Sequence, residues 1–141
     1  MISKKTKYAI SAVVYLAGLE HRNPVLISEI SKERKIPQKF LEAILLDLRR
    51  AGILSSKKGK GGGYYLLKSA EDINLAEILR LFDGPIALLP CVSLNYYEKC
   101  EDCIDEEHCG IRDAFLKVRM NTLELLKQST VANIVDMEKN K

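Results

Sequence analysis

Ala9, Ala12, Val13, Leu16 and Leu19 recur at spacings of three and four, which predicts a helix from about Lys4 to Glu20 with one buried face. Ile10, Val14 and Tyr15 are apolar on other faces, so this helix is expected to be covered on more than one side. His21 to Pro24 breaks it, with Asn23-Pro24 as a turn signal. A short second helix is predicted from about Ser28 to Arg34, with Ser28 as N-cap and Ile30 pointing inward. Lys35-Ile36-Pro37 forms the turn to a third helix, which Pro37 opens where a missing N–H is harmless. Phe40, Leu41, Ile44, Leu45 and Leu48 make its apolar stripe, leaving Gln38, Lys39, Glu42, Asp47 and Arg49 exposed. Gly52 ends it as a left-handed cap would.

Two short strands, about Ile53–Ser56 and Tyr64–Leu67, then flank the glycine-rich segment GKGGG. Helix, turn, helix and hairpin in this order define a winged helix-turn-helix, a fold that is mainly α with a small β-wing. The glycines let the hairpin tip approach another backbone closely. Lys57, Lys58 and Lys60 supply charge for phosphates, each displacing counterions from a duplex.

Asn74 is placed to cap a fourth helix, LAEILRLFDG, ended by Gly84-Pro85. A cysteine-bearing loop follows. Beyond it, Ile111, Ala114, Phe115, Val118, Thr122, Leu125 and Leu126 mark one face of a helix of about 20 residues, extending about 30 Å. An apolar stripe of that length on an arm outside a small domain is most simply buried against a second copy, so a homodimer is expected. Ser129-Thr130 then starts a short terminal helix. The chain divides into a winged helix-turn-helix over residues 1–84, a cysteine loop over 85–109, and a dimerisation helix with a C-terminal helix over 110–141.

Composition sharpens the reading. The chain has 141 residues, 47% of them hydrophobic, enough for one domain or a domain with an appended arm. Its net charge of +3 conceals an asymmetry. Residues 1–68 hold 14 Lys and Arg against 5 Asp and Glu, whereas residues 69–141 hold 8 against 14. A basic first half points to an anionic polymer as its partner. No apolar run approaches the roughly 20 residues that span a bilayer. The N-terminus faintly mimics a signal peptide, but Tyr8, Tyr15 and Glu20 interrupt the pattern and no A-x-A-like cleavage site follows. A cytoplasmic protein without a membrane partner is expected.

The four cysteines, Cys91, Cys100, Cys103 and Cys109, all fall within 19 residues as C-x8-C-x2-C-x5-C. Disulfides are disfavoured in a reducing compartment, and clustered soft thiolates select zinc, copper(I) or iron–sulfur clusters. Zinc sites usually pair two C-x-x-C knuckles, and only Cys100 and Cys103 form one here. The longer gaps suit a loop wrapped around a larger inorganic core. Acidic neighbours, among them Glu98, Glu101, Asp102, Asp105, Glu106 and Glu107, would lower a cluster's reduction potential. His108 is a further candidate ligand. Four thiols without a ligand remain the alternative.

With these features assembled, the chain resembles the Rrf-type bacterial transcription regulators. The resemblance rests on KYAISAVVYLA, on LISEISKERKIPQKFLEAILLDLRRAGILSSKKGKGGGYYL, on the segment ending FDGPI and on the cysteine loop leading into a long helix. It covers nearly the whole chain. It implies a homodimer whose long helices cross and whose wings reach a palindromic operator in double-stranded DNA. It also implies an iron–sulfur cluster, 2Fe–2S or 4Fe–4S, held by three loop cysteines, which Cys91, Cys103 and Cys109 match best. Some members borrow a fourth ligand from the partner's first helix. The corresponding residues here, Thr6-Lys7-Tyr8, offer no carboxylate or imidazole, so Cys100 is the expected fourth ligand.

The positions matching the family's recognition helix are Pro37, Gln38, Lys39 and Glu42, with Lys58 in the wing. Gln38 suits bidentate pairing with adenine, Lys39 a guanine or phosphate, and Glu42 a cytosine amine. Arg49, Arg50, Lys57 and Lys60 are assigned to phosphates, which position without reading sequence. The expected function is a sequence-specific transcriptional regulator, acting as a repressor, whose activity a cluster modulates; the alternative is a cluster-free thiol-redox or zinc-binding regulator. A winged-helix protein-interaction module that does not bind DNA is a further alternative. A thiol oxidoreductase would place its C-x-x-C at the start of a helix beside a βαβ unit. Here the pair lies in an acidic loop, so no enzyme is expected.

Overall fold

The hydroxyl of Ser3 accepts a hydrogen bond from the Thr6 N–H at 3.2 Å and starts the first helix, α1, at Lys4–Gly18. The computed structural model describes residues 1–141. Along α1, Ala9, Ala12, Val13, Val14 and Leu16 are buried, so the helix is covered on more than one side as its pattern predicts. It stops two residues short of Glu20.

The helix-turn-helix follows as α2, Ile27–Arg34, and α3, Gln38–Arg50. Val25 exchanges two backbone hydrogen bonds with Tyr64, both 2.8 Å, which fixes the chain just ahead of α2. The helix therefore begins a residue earlier than its sequence signal, with Leu26 as N-cap and no side-chain cap. Ser28 lies inside the first turn and is not the cap. Lys35 takes the left-handed conformation at φ 53°, and the Ser31 hydroxyl donates to the Ile36 carbonyl at 2.6 Å, which drives Ile36 into the core. Pro37 is the N-cap of α3 rather than its first helical residue, and its carbonyl accepts from Leu41 at 3.0 Å.

On α3, Leu41, Ile44, Leu45 and Leu48 are fully buried. Phe40, predicted in this stripe, is exposed and packs edge-on against Tyr8, with ring centroids 6.2 Å apart. Gly52 closes the helix at φ 78°, and the Ile53 N–H reaches back to the Leu48 carbonyl at 3.0 Å. This is the paired-bond left-handed cap that the glycine predicts.

The wing is an antiparallel pair, β1 at Leu54–Lys57 and β2 at Gly63–Leu66, each shifted one residue from the pattern. The shift arises because Ile53 is occupied by the cap of α3 on one side and by Leu67 on the other. Helix α4, Leu75–Asp83, is capped by the Asn74 side chain at 3.0 Å and ends at Gly84, φ 82°.

Helix α5 spans Gly110–Gln128 and α6 spans Val131–Lys139, the latter opened by a reciprocal Thr130–Asn133 capping box. Val131 and Val135 of α6 join the same core as α1, α2 and α3. The Val131 N–H bonds the Ile73 carbonyl at 2.8 Å, so the C-terminus is stitched to the start of α4. The predicted stripe of α5 splits in two. Phe115 and Leu126 turn partly inward beside Leu123, the one buried residue of α5. Ile111, Ala114, Val118, Thr122 and Leu125 form an exposed row beside them, about a quarter turn around the helix. No helix is long and apolar enough to cross a membrane.

A basic cleft and a cysteine cavity

On α3, Gln38, Glu42 and Arg49 are four and seven residues apart and form one exposed row flanking the buried stripe. Lys39 and Arg50, eleven apart, form a second exposed row about a quarter turn around the helix from the first. The wing brings Lys57 and Lys58 against the first row. Gln38 and Arg49 line a cleft of about 420 Å³ with these two lysines, Tyr64 and the Leu26–Ser28 segment. Lys39, Glu42 and Arg50 stand outside the cleft on exposed helix surface, and Lys60 stands at the hairpin tip. None of the eight side chains takes part in an intramolecular ion pair. Lys5 of α1, in contrast, pairs with Asp47 at 3.5 Å and lies over the Phe82 ring.

The wing glycines divide by role. A Cβ on Gly63 would lie 2.3 Å from the Val25 carbonyl, and one on Gly62 would lie 2.3 Å from the Lys57 carbonyl. These two are required by the hairpin's own packing. Gly59 and Gly61, both at positive φ, face open space. Ser28, whose residue type suits a cap, instead lines the cleft at the uncapped start of α2. Its signal was the extended Val25-Leu26 pair ahead of it, which moves the helix start forward.

The cysteine loop folds back on the first turns of α5. Cys91 is buried on a short 3₁₀ turn, Pro90–Val92. The Cys103 N–H bonds the Cys100 carbonyl at 3.1 Å, so the C-x-x-C pair forms a tight turn. Cys109 is the N-cap of α5, its sulfur accepting from the Arg112 N–H at 3.4 Å. All four cysteines line one cavity of about 490 Å³, shared with Asp102, Asp105, Glu106 and Arg112. All four are free thiols.

Hydrogen bonds set the electrostatics of this loop. The Cys100 thiol donates to Asp102 at 3.0 Å, which holds the thiol above its ordinary range and the carboxyl below its own. Tyr97 donates to Glu106, which pushes the phenol up. His108 is exposed and engaged with Asp105 at 2.5 Å. No three of the histidine, cysteine and acidic side chains converge as a ready-made ligand set for one ion. The donor set, four soft thiols around one cavity, nevertheless fits a thiolate-ligated metal centre, with binding and loop closure coupled.

A two-helix reading head, a glycine wing and an appended long helix define a winged helix-turn-helix transcriptional regulator. Residues 2–137 match the Rrf2 family, described as iron-dependent transcriptional regulators, and the chain belongs to that family. An rrf2-like HTH-type transcriptional regulator of Rhodobacter capsulatus is 43% identical over 138 residues, 96% of this chain and 92% of that protein. The IscR regulator of Erwinia tasmaniensis is 27% identical over 135 residues, 96% of this chain and 78% of that protein. Among solved structures, CymR, the global cysteine regulator of Bacillus subtilis, superposes with a TM-score of 0.80 at 26% identity, covering 97% of each chain. Family and relatives are transcriptional regulators and not enzymes.

Proposed function

We propose that the protein is a homodimeric, sequence-specific repressor whose affinity for a palindromic operator is set by an iron–sulfur cluster in the cysteine cavity. The observation that carries this reading is the gathering of Cys91, Cys100, Cys103 and Cys109 around one cavity at the head of α5. Helix α5 also presents the exposed apolar row suited to a second copy. A cluster held there acts on the element that spaces the two reading heads.

In this reading Gln38, Lys39 and Glu42 face base edges, while Arg49, Arg50, Lys57, Lys58 and Lys60 take phosphates. The absence of internal ion pairs at these residues leaves their charge available to the duplex. The uncapped first turn of α2, which includes Ser28, offers backbone N–H groups to one more phosphate. A repressor of transcription works beside the chromosome, so a cytoplasmic location belongs to the same reading.

The cluster, when bound, supplies a centre that gains or loses an electron or decomposes in response to oxidants. The four thiols bind it, and their loop transmits its presence. The family description as iron-dependent and the IscR relative support iron. A second reading is a cluster-free thiol or zinc regulator, favoured by the tight Cys100–Cys103 turn and by the lack of a converged ligand set. Anaerobic purification with iron, sulfide and zinc analysis and a visible spectrum separates the two. Stoichiometric iron and sulfide are expected; equimolar zinc, or a colourless iron-free protein after reconstitution, contradicts the cluster.

A further inference from the structure

The Nε of Arg112 is the one buried side-chain nitrogen or oxygen in the chain with no hydrogen-bond partner. Its nearest carboxylate oxygen, on Glu106, lies 3.9 Å away, beyond hydrogen-bond reach, and Glu106 already accepts from Tyr97. An orphaned buried donor forfeits its hydration without return, so such groups call for an explanation such as an absent ion or a redox role. Arg112 also lines the cysteine cavity, where it is the only lysine or arginine. Everything else ionisable around that cavity is a thiol, a carboxyl or a histidine.

From this we infer that Arg112 is the charge-compensating residue of the cysteine centre, its guanidinium offering a cation and an N–H to an anionic thiolate-ligated iron–sulfur group. The inference rests on the cluster reading above and names how this chain tunes that cluster. A group held by four thiolates carries net negative charge, which the acidic loop aggravates. Adding an electron adds further negative charge, and a fixed cation at the cavity wall offsets it. The start of α5 places Arg112 for this: its backbone N–H bonds the Cys109 sulfur at 3.4 Å, which holds the main chain at the cavity wall from which the side chain reaches inward. It is a positioning and tuning residue rather than a ligand, since guanidinium does not deprotonate in proteins.

The test compares wild type, Arg112→Gln and Arg112→Lys, each reconstituted anaerobically with iron and sulfide. Three quantities are read: the midpoint of reduction by dithionite, the rate of bleaching in air, and the melting temperature of the cluster-free protein. Arg112→Gln is expected to load iron yet reduce at a more negative potential and bleach several-fold faster. Arg112→Lys, which keeps the charge, is expected to stay near wild type. The cluster-free Gln variant is expected to melt no lower than wild type, because the orphaned donor is gone. A Gln variant with the wild-type potential overturns the assignment, and so does a cluster-free Gln variant that loses its fold, which makes Arg112 structural. Wild type that takes up no iron or sulfide overturns the cluster reading beneath it.

Discussion

The Nε–H of Arg119 donates to the carbonyl of Val92 at 2.9 Å, tying the turn that carries Cys91 to the middle of α5. Val92 is itself buried, so its carbonyl has little access to water. Replacing Arg119 with Leu leaves that acceptor unpaired, at a cost of about 1–3 kcal/mol. Thermal melts of the cluster-free protein should fall accordingly, and hydrogen exchange should rise at residues 91–93 while α1 and α3 stay protected.

The hairpin offers a contrast between two glycines. Gly63→Ala should destabilise the domain by more than about 1 kcal/mol, because both its positive φ and the Val25 carbonyl 2.3 Å away oppose a Cβ. Gly61→Ala, strained only through φ 73° and facing open space, should cost about 1 kcal/mol. Urea melts of the two variants test this ordering.

For DNA, Lys58→Ala and Gln38→Ala should behave differently. The lysine variant should weaken binding to all duplexes alike and reduce the slope of log K against log salt by about 1. The glutamine variant should lose about 1–3 kcal/mol on the operator while binding random DNA as before. Fluorescence anisotropy at several salt concentrations distinguishes these outcomes.

The exposed row of α5 predicts the oligomeric state. Val118 and Leu125 are 44% and 64% exposed in a single chain, which is unfavourable for an apolar row of this length. Val118→Glu combined with Leu125→Glu should convert a dimer into a monomer in sedimentation velocity, with the helical content unchanged.

Much of this architecture was legible in the sequence, and the gaps have a common cause. Elements whose signals are local were predicted closely: the Asn74 cap, the Gly52 left-handed turn, the Leu41–Leu48 stripe and the length of α5. What failed depends on partners distant in sequence. Ser28 lost its capping role because Val25 pairs with Tyr64. Phe40 left the core because Tyr8 meets it at the surface. The inward face of α5 runs through Arg119 and Leu123 rather than Val118, because the Cys91 turn and α4 pack on that side. The cysteines were visible as a cluster, but the orphaned Arg112 could emerge only from a folded cavity.

If the cysteine centre sets affinity for DNA, anaerobic operator binding by the same preparation with and without its cluster is where it must show. Operator fragments come from genome-wide mapping of occupied sites. The two forms are expected to differ in affinity by about five- to 150-fold, the range of a coupling of about 1–3 kcal/mol. The difference should disappear when Cys91, Cys100, Cys103 and Cys109 are all replaced by serine. Equal affinities for the loaded and empty forms, on an operator that both bind, would contradict it.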